Sequence, residues 1–169
     1  PDYLLKQTLT RYNSSLDDCN ISITKNEYGK PFVEKINTKF NISKTGNKFI
    51  IAFTNVDEIG IDIELISSDK VFSHKEIFFS LNEIELIRKD KSIKTFYKLW
   101  TRKESFLKFL GTGITDNVNE ISLAKGRNII ETEIYSQSEG AYVNSFIISD
   151  EIYCSVCTSA KKPVYLFTK

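Results

Sequence analysis

Residues 95–110, TFYKLWTRKESFLKFL, followed by Gly111, set the strongest constraint on what this chain can fold into. Phe96, Leu99, Trp100, Phe106, Leu107 and Leu110 recur at helical spacing and form one apolar arc. Gly111 is placed to stop that helix as its C-cap. The arc belongs to the core, and Tyr97, Glu104 and Lys108 fall on its flank, at the expected border with solvent. Lys103 falls inside the arc, where a purely structural helix avoids a cation unless the stem snorkels. Glu104 and Lys108 are one turn apart on the same face. That spacing suits a plain surface ion pair as well as an acid and a base working on one substrate atom.

The rest of the chain supplies strands on either side of this helix. Asp2 to Tyr12 carries Leu4, Leu5, Leu9 and Tyr12 at helical spacing, with Asp2 as a cap. Ile21 to Thr24 alternates as a strand, and Asn26 to Pro31, NEYGKP, is a loop with Lys30 at its tip. A solvated lysine and a phosphate contact both fit there. Phe40 to Ser43 and Lys48 to Asn55 form a hairpin around residues 44–47, where Lys44, the Thr45 hydroxyl and backbone N–H groups either hold an anion or simply close the turn. Val71 to Phe79 is a short helix with His74 as a surface or cap histidine, and Phe78 and Phe79 are expected to be partly exposed. Ser80 with Glu83 makes a capping box that opens a helix to Asp90, with Leu81, Ile84 and Ile87 as its apolar stripe. Beyond it, Glu120 to Leu123, Asn128 to Tyr135, Tyr142 to Ser149, Ile152 to Thr158 and Val164 to Phe167 read as strands. The fold class is α+β with antiparallel sheet.

Composition narrows the chemistry. Across 169 residues, 23 Lys and Arg stand against 22 Asp and Glu, a formal charge of +1. No global basic field is present of the kind that drives nucleic-acid binding. The apolar runs are too short to span a membrane. The sequence contains no Met, so a processed or truncated chain is expected. Cys19, Cys154 and Cys157 are too few and scattered for a disulfide framework, which favours a reducing, cytoplasmic setting. On a strand Cys154 and Cys157 point to opposite faces, so they read as two packed thiols rather than a zinc or redox pair.

Ile59 to Ile66, IGIDIELI, alternates so that Gly60, Asp62, Glu64 and Ile66 share one face. Two carboxylates on one face of an apolar strand are costly to bury unless a cation or partner neutralises them. An exposed sheet face is the other solution. Together with Glu104 they form an all-oxygen set suited to Mg²⁺, whose remaining positions are filled by water and substrate phosphates. In such a site a carboxylate takes the proton of an attacking hydroxyl and a lysine stabilises the leaving group.

Gly60-Ile61-Asp62-Ile63-Glu64 followed by W-x-x-K-E-S-x-x-K-x-x-G-x-G from Trp100 to Gly113 resembles the paired signature of the 4'-phosphopantetheinyl transferases, Sfp type. The Tyr28-Gly29-Lys30-Pro31 loop and the Phe40-Asn41-Ile42-Ser43 strand with its turn extend the likeness. The resemblance implies Mg²⁺-dependent transfer of the phosphopantetheine arm of coenzyme A to a serine of an apo acyl or peptidyl carrier protein, with adenosine 3',5'-bisphosphate released. It implies that Asp62, Glu64 and Glu104 hold Mg²⁺, that Glu104 acts as or positions the base, and that Lys108 assists the leaving phosphate. Lys30, Ser43, Lys44 and Thr45 would contact coenzyme A. The implied fold has two pseudo-symmetric lobes, residues 1–58 as a first lobe truncated at its N-terminus and residues 59–169 as the second. Lys44 stands where the family usually has His, a flexible point charge in place of a ring. The alternative is a non-catalytic remnant of that fold that binds carrier protein or coenzyme A, and an unrelated Mg²⁺-dependent phosphohydrolase is a third reading. A docking role for Phe78 and Phe79 against a carrier helix is a further expectation.

Overall fold

The computed structural model describes residues 2–14, 21–34, 36–55, 58–67, 75–113, 118–125, 127–128, 141–149 and 151–159. Cys19, His74 and the strands expected at residues 129–135 and 164–167 lie outside them. The long helix, α4, spans Ile93–Leu110. Ser92 caps its start by accepting from the Lys94 N–H, and Gly111 ends it at φ 72° with its N–H on the Leu107 carbonyl. The helix α1 (Asp2–Tyr12) packs Leu5 and Leu9 on Ile21 and Phe40.

β5 (Ile59–Leu65), β8 (Ile152–Thr158), β7 (Ala141–Ser149) and β6 (Arg127–Asn128) form an antiparallel sheet in that order, with Asp62 opposite Ser155. Two antiparallel hairpins precede it, β1 (Ile23–Lys25) with β2 (Pro31–Val33) and β3 (Lys39–Thr45) with β4 (Lys48–Thr54). The fold is therefore α+β with antiparallel sheets. Alternation along β5 sorts its residues as the sequence predicts. Ile59, Ile61 and Ile63 pack with Cys154, Val156 and the Ile50 and Ala52 side chains of β4, while Gly60 and Asp62 face α4. Cys157 packs on the α4 side with Phe106 and Phe109. The two thiols thus lie on opposite faces, and burial pushes that of Cys154 up to about 12.

Gly60 sits under α4 so closely that a Cβ there would stand 2.0 Å from the Ser105 carbonyl oxygen and 2.3 Å from the Phe109 nitrogen. Both atoms are backbone and cannot rotate away. Gly60→Ala is expected to force strand and helix apart and to lower stability by about 3 kcal/mol, seen as a lower urea midpoint. An unchanged midpoint would mean that helix and strand do not meet there.

Several expectations are corrected. α4 is buried nearly all round, with Tyr97, Thr101, Arg102, Lys103, Ser105 and Phe109 inaccessible. The sheet covers one side, and α2 (Lys75–Phe78), α3 (Leu81–Asp90) and residues 118–125 cover the other. Tyr97 is therefore a core residue, its hydroxyl bonded to the Ser67 backbone, rather than a border residue. Phe78 and Phe79 are only 7% and 1% exposed because they stack around Trp100 and Phe96. Leu81 leaves the stripe of α3 and is 88% exposed. The capping box of Ser80 and Glu83 forms as expected. Residues 120–123 are not a strand: a short 3-10 turn, Val118–Glu120, leads into irregular chain whose carbonyls bond to buried cations instead of a neighbouring strand. The turn between β3 and β4 is only Gly46 and Asn47, with Gly46 at φ 58°, so Lys44 and Thr45 belong to the strand.

Candidate active site

The approach of α4 to β5 at Gly60 brings the next even residues of the strand up to the helix. Asp62 is 4% exposed. Its Oδ1 accepts from Lys108 Nζ at 2.6 Å and from Ser43 Oγ at 2.9 Å. Its Oδ2 is buried and has no hydrogen-bond partner. A buried carboxylate oxygen left without a donor is costly, so it marks a place where a positive group completes the site. Burial holds the Asp62 carboxyl above its usual range, with Lys108 and Ser43 opposing the shift and Glu64 adding to it. Glu104, the next turn back along α4 from Lys108, is raised to about 7, again by burial first, then by Asp62 and Glu64, with Lys108 opposing. Glu64 is half-buried and accepts from Thr45 Oγ1 at 3.3 Å.

The three carboxylates therefore feel one another electrostatically. Among the described residues, no set of three His, Cys, Asp or Glu side chains is drawn together at metal-binding spacing. Lys108 occupies the Asp62 carboxylate instead. The donor set still fits a hard divalent cation: it is all oxygen, one buried oxygen is orphaned, and burial disfavours the charged form of Asp62 and Glu104 until a positive group offsets it.

Of the residues expected to contact coenzyme A, the structure brings Ser43 and Thr45 to this site and places the others elsewhere. Ser43 and Thr45 project from β3 toward β5, whereas Lys44, on the opposite face of that strand, is exposed. Lys30 is neither solvated nor at the carboxylates. It pairs with Glu58 at 2.7 Å and donates to the Phe109 carbonyl at 3.2 Å, a cation at the C-terminal end of α4. Asn26 secures the same end by donating to the Gly111 carbonyl at 2.9 Å. A cavity of about 330 Å³ opens there, lined among others by Asn26, Lys30, Lys39, Glu58 and Gly111.

Sequence reasoning singled out Lys103 inside the apolar arc but missed its pairing with Glu83 and the part of Arg102 in holding α4 in register. Lys103 is fully buried, 3.1 Å from Glu83 Oε2, and its Nζ donates to the carbonyls of Val118, at 2.7 Å, and Ile121. Arg102 donates to the carbonyls of Leu123, Lys125 and Val143 and to Ser145. Burial lowers both cations, Arg102 to about 10, with Glu83 opposing the shift at each. The one available signal was a pair of adjacent cations on a helix with so large an apolar face.

Residues 58–157 match the model of the 4'-phosphopantetheinyl transferase superfamily, a stretch that runs from just before β5 to near the end of β8. This chain belongs to that superfamily. Among proteins similar to this superfamily member are the 4'-phosphopantetheinyl transferase gsp of Aneurinibacillus migulanus, 36% identical over 146 residues, and Sfp of Bacillus subtilis, 30% identical over 162. The first alignment covers 82% of this chain and 59% of gsp, and the second 94% of this chain and 71% of Sfp. AcpT of Escherichia coli is 31% identical over 90 residues, 50% of this chain and 46% of that transferase. The 4'-phosphopantetheinyl transferase match thus takes in Asp62, Glu64, Glu104 and Lys108, and no described helix is long and apolar enough to cross a membrane.

Proposed function

We propose that this chain transfers the 4'-phosphopantetheine arm of coenzyme A to a serine hydroxyl of an apo acyl or peptidyl carrier protein, in the cytoplasm and with Mg²⁺. The observation that carries the reading is the buried, half-satisfied Asp62 carboxylate facing Glu104 and Lys108, inside the segment matched to the transferase family. Asp62, Glu64 and Glu104 are the residues that would hold Mg²⁺. When bound, that ion neutralises charge developing on the phosphate oxygens.

The side chains account for the rest. Glu104, one helical turn from Lys108 on α4 and beside Asp62, is placed to take the proton of the carrier serine as its oxygen attacks phosphorus. Lys108 has a stem long enough to turn from Asp62 toward the leaving phosphate, where an ammonium favours the charge that builds up. Lys44, exposed beside the β3–β4 turn, and Lys30, on giving up Glu58, supply positive charge for the 3'-phosphate. The cavity at the end of α4 supports placing part of the coenzyme there. The residues 1–58 and 59–169 form the two lobes between which the substrate is held.

The test is release of adenosine 3',5'-bisphosphate from coenzyme A, followed by chromatography with and without apo carrier protein. Release that requires both carrier and Mg²⁺ is expected. Release without carrier would favour a phosphohydrolase. Coenzyme A binding with no release would favour a non-catalytic member of the fold.

A further inference from the structure

The cavity at the C-terminal end of α4 is lined by three charged side chains, Lys30, Lys39 and Glu58. Lys30 is held there by neutral partners. Asn26 Oδ1 accepts from the Lys30 and Tyr28 N–H groups, at 2.8 and 3.1 Å, while the Asn26 amide donates to the Gly111 carbonyl. The loop is thereby tied to the end of α4, where Lys30 Nζ reaches the Phe109 carbonyl. A helix C-terminus favours a cation whatever anion lies beside it. The carboxylate of Glu58 pairs with Lys30 through Oε2 at 2.7 Å and lies 3.5 Å from Lys39 Nζ through Oε1. The Glu58 side chain is 42% exposed against 14% for Lys30. The cation is fixed while its anion stands toward water, where one anion exchanges for another at small cost.

We propose that Glu58 is a built-in competitor for the 3'-phosphate of coenzyme A, which must displace it from Lys30 and Lys39, and that Lys39 then shares that phosphate with Lys30. The proposal rests on the function proposed above. A phosphate carries more charge and more acceptor oxygens than a carboxylate, so it wins the two lysines. The contest lowers its net gain. Adenosine 3',5'-bisphosphate keeps the 3'-phosphate after transfer, so the same competitor that weakens coenzyme A binding also speeds the departure of this product. A nucleotide without a 3'-phosphate makes no claim on the lysines and is indifferent to Glu58.

The test is calorimetric binding, in chelator, of coenzyme A and of dephospho-coenzyme A, which lacks the 3'-phosphate. Glu58→Gln is expected to tighten coenzyme A about fivefold and to leave dephospho-coenzyme A within about twofold. The variant also loses an ion pair, so its melting temperature without ligand should fall. A structural lesion would instead weaken binding along with the fold. Lys39→Met added to Glu58→Gln should weaken coenzyme A about threefold, again sparing dephospho-coenzyme A. Unchanged or weaker coenzyme A binding in Glu58→Gln, or equal tightening of both ligands, would overturn the proposal. So would coenzyme A that binds neither wild type nor variant. An added Lys39→Met that leaves coenzyme A affinity unmoved would overturn the share given to Lys39. Tightening confined to coenzyme A, in a protein that modifies no carrier, would overturn the proposed function and leave this inference standing. Normal carrier modification with no tightening in Glu58→Gln would do the reverse.

Discussion

Glu104→Gln is expected to reduce transfer by about 10²-fold or more, because the amide keeps the volume but can neither take a proton nor balance a cation. The rate of carrier modification under saturating coenzyme A measures this, and a wild-type rate would remove Glu104 from the chemistry. The same variant has a signature that needs no substrate. Burial, aided by Asp62 and Glu64, raises Glu104 from an ordinary 4.5 to about 7. The folded state then binds the proton more tightly than the unfolded chain, so its contribution to stability is complete below about pH 4.5 and is lost as pH rises through about 7. In metal-free protein the melting temperature should fall across that window. In Glu104→Gln the part of the fall due to this group should vanish.

Lys103→Met is expected to give the largest loss of stability, about 3–5 kcal/mol, because it leaves Glu83 charged, buried and without its cation. The loss corresponds to a drop in melting temperature of about 10 °C for a chain of this size. Glu83 accepts from the Ser80 N–H and hydroxyl and from the Leu123 N–H as well, so the start of α3 and residues 118–125 should loosen together. Pairing the change with Glu83→Gln removes the stranded charge and should recover more than half of the loss. If Lys103→Met melts with wild type, the pair does not anchor the helix.

What was legible in the sequence was local. The span of α4, its Gly111 stop, the Ser80 and Glu83 cap and the alternation of β5 are set by residues within a turn or two of one another, and each is found where the pattern placed it. The shared face of Asp62 and Glu64 followed from the same period of two. What could not be read depends on groups far apart in the chain. Phe78 and Phe79 looked like surface because their stacking partners, Phe96 and Trp100, lie on α4, beyond the whole of α3. Residues 120–123 alternate like a strand, but Arg102 and Lys103 take up their carbonyls. Asn41, Ser43 and Thr45 read as an ordinary strand and turn because the bonds their side chains accept from the Ile61, Ile63 and Leu65 N–H groups exist only once β5 lies alongside.

The most direct measurement is the intact mass of an apo carrier protein after incubation with this protein, coenzyme A and Mg²⁺. A carrier that gains one phosphopantetheine arm on its serine, and fails to gain it with Glu104→Gln or with chelator, is the predicted result. Unmodified carriers across a panel of acyl and peptidyl types, with the protein folded and coenzyme A bound, would contradict it.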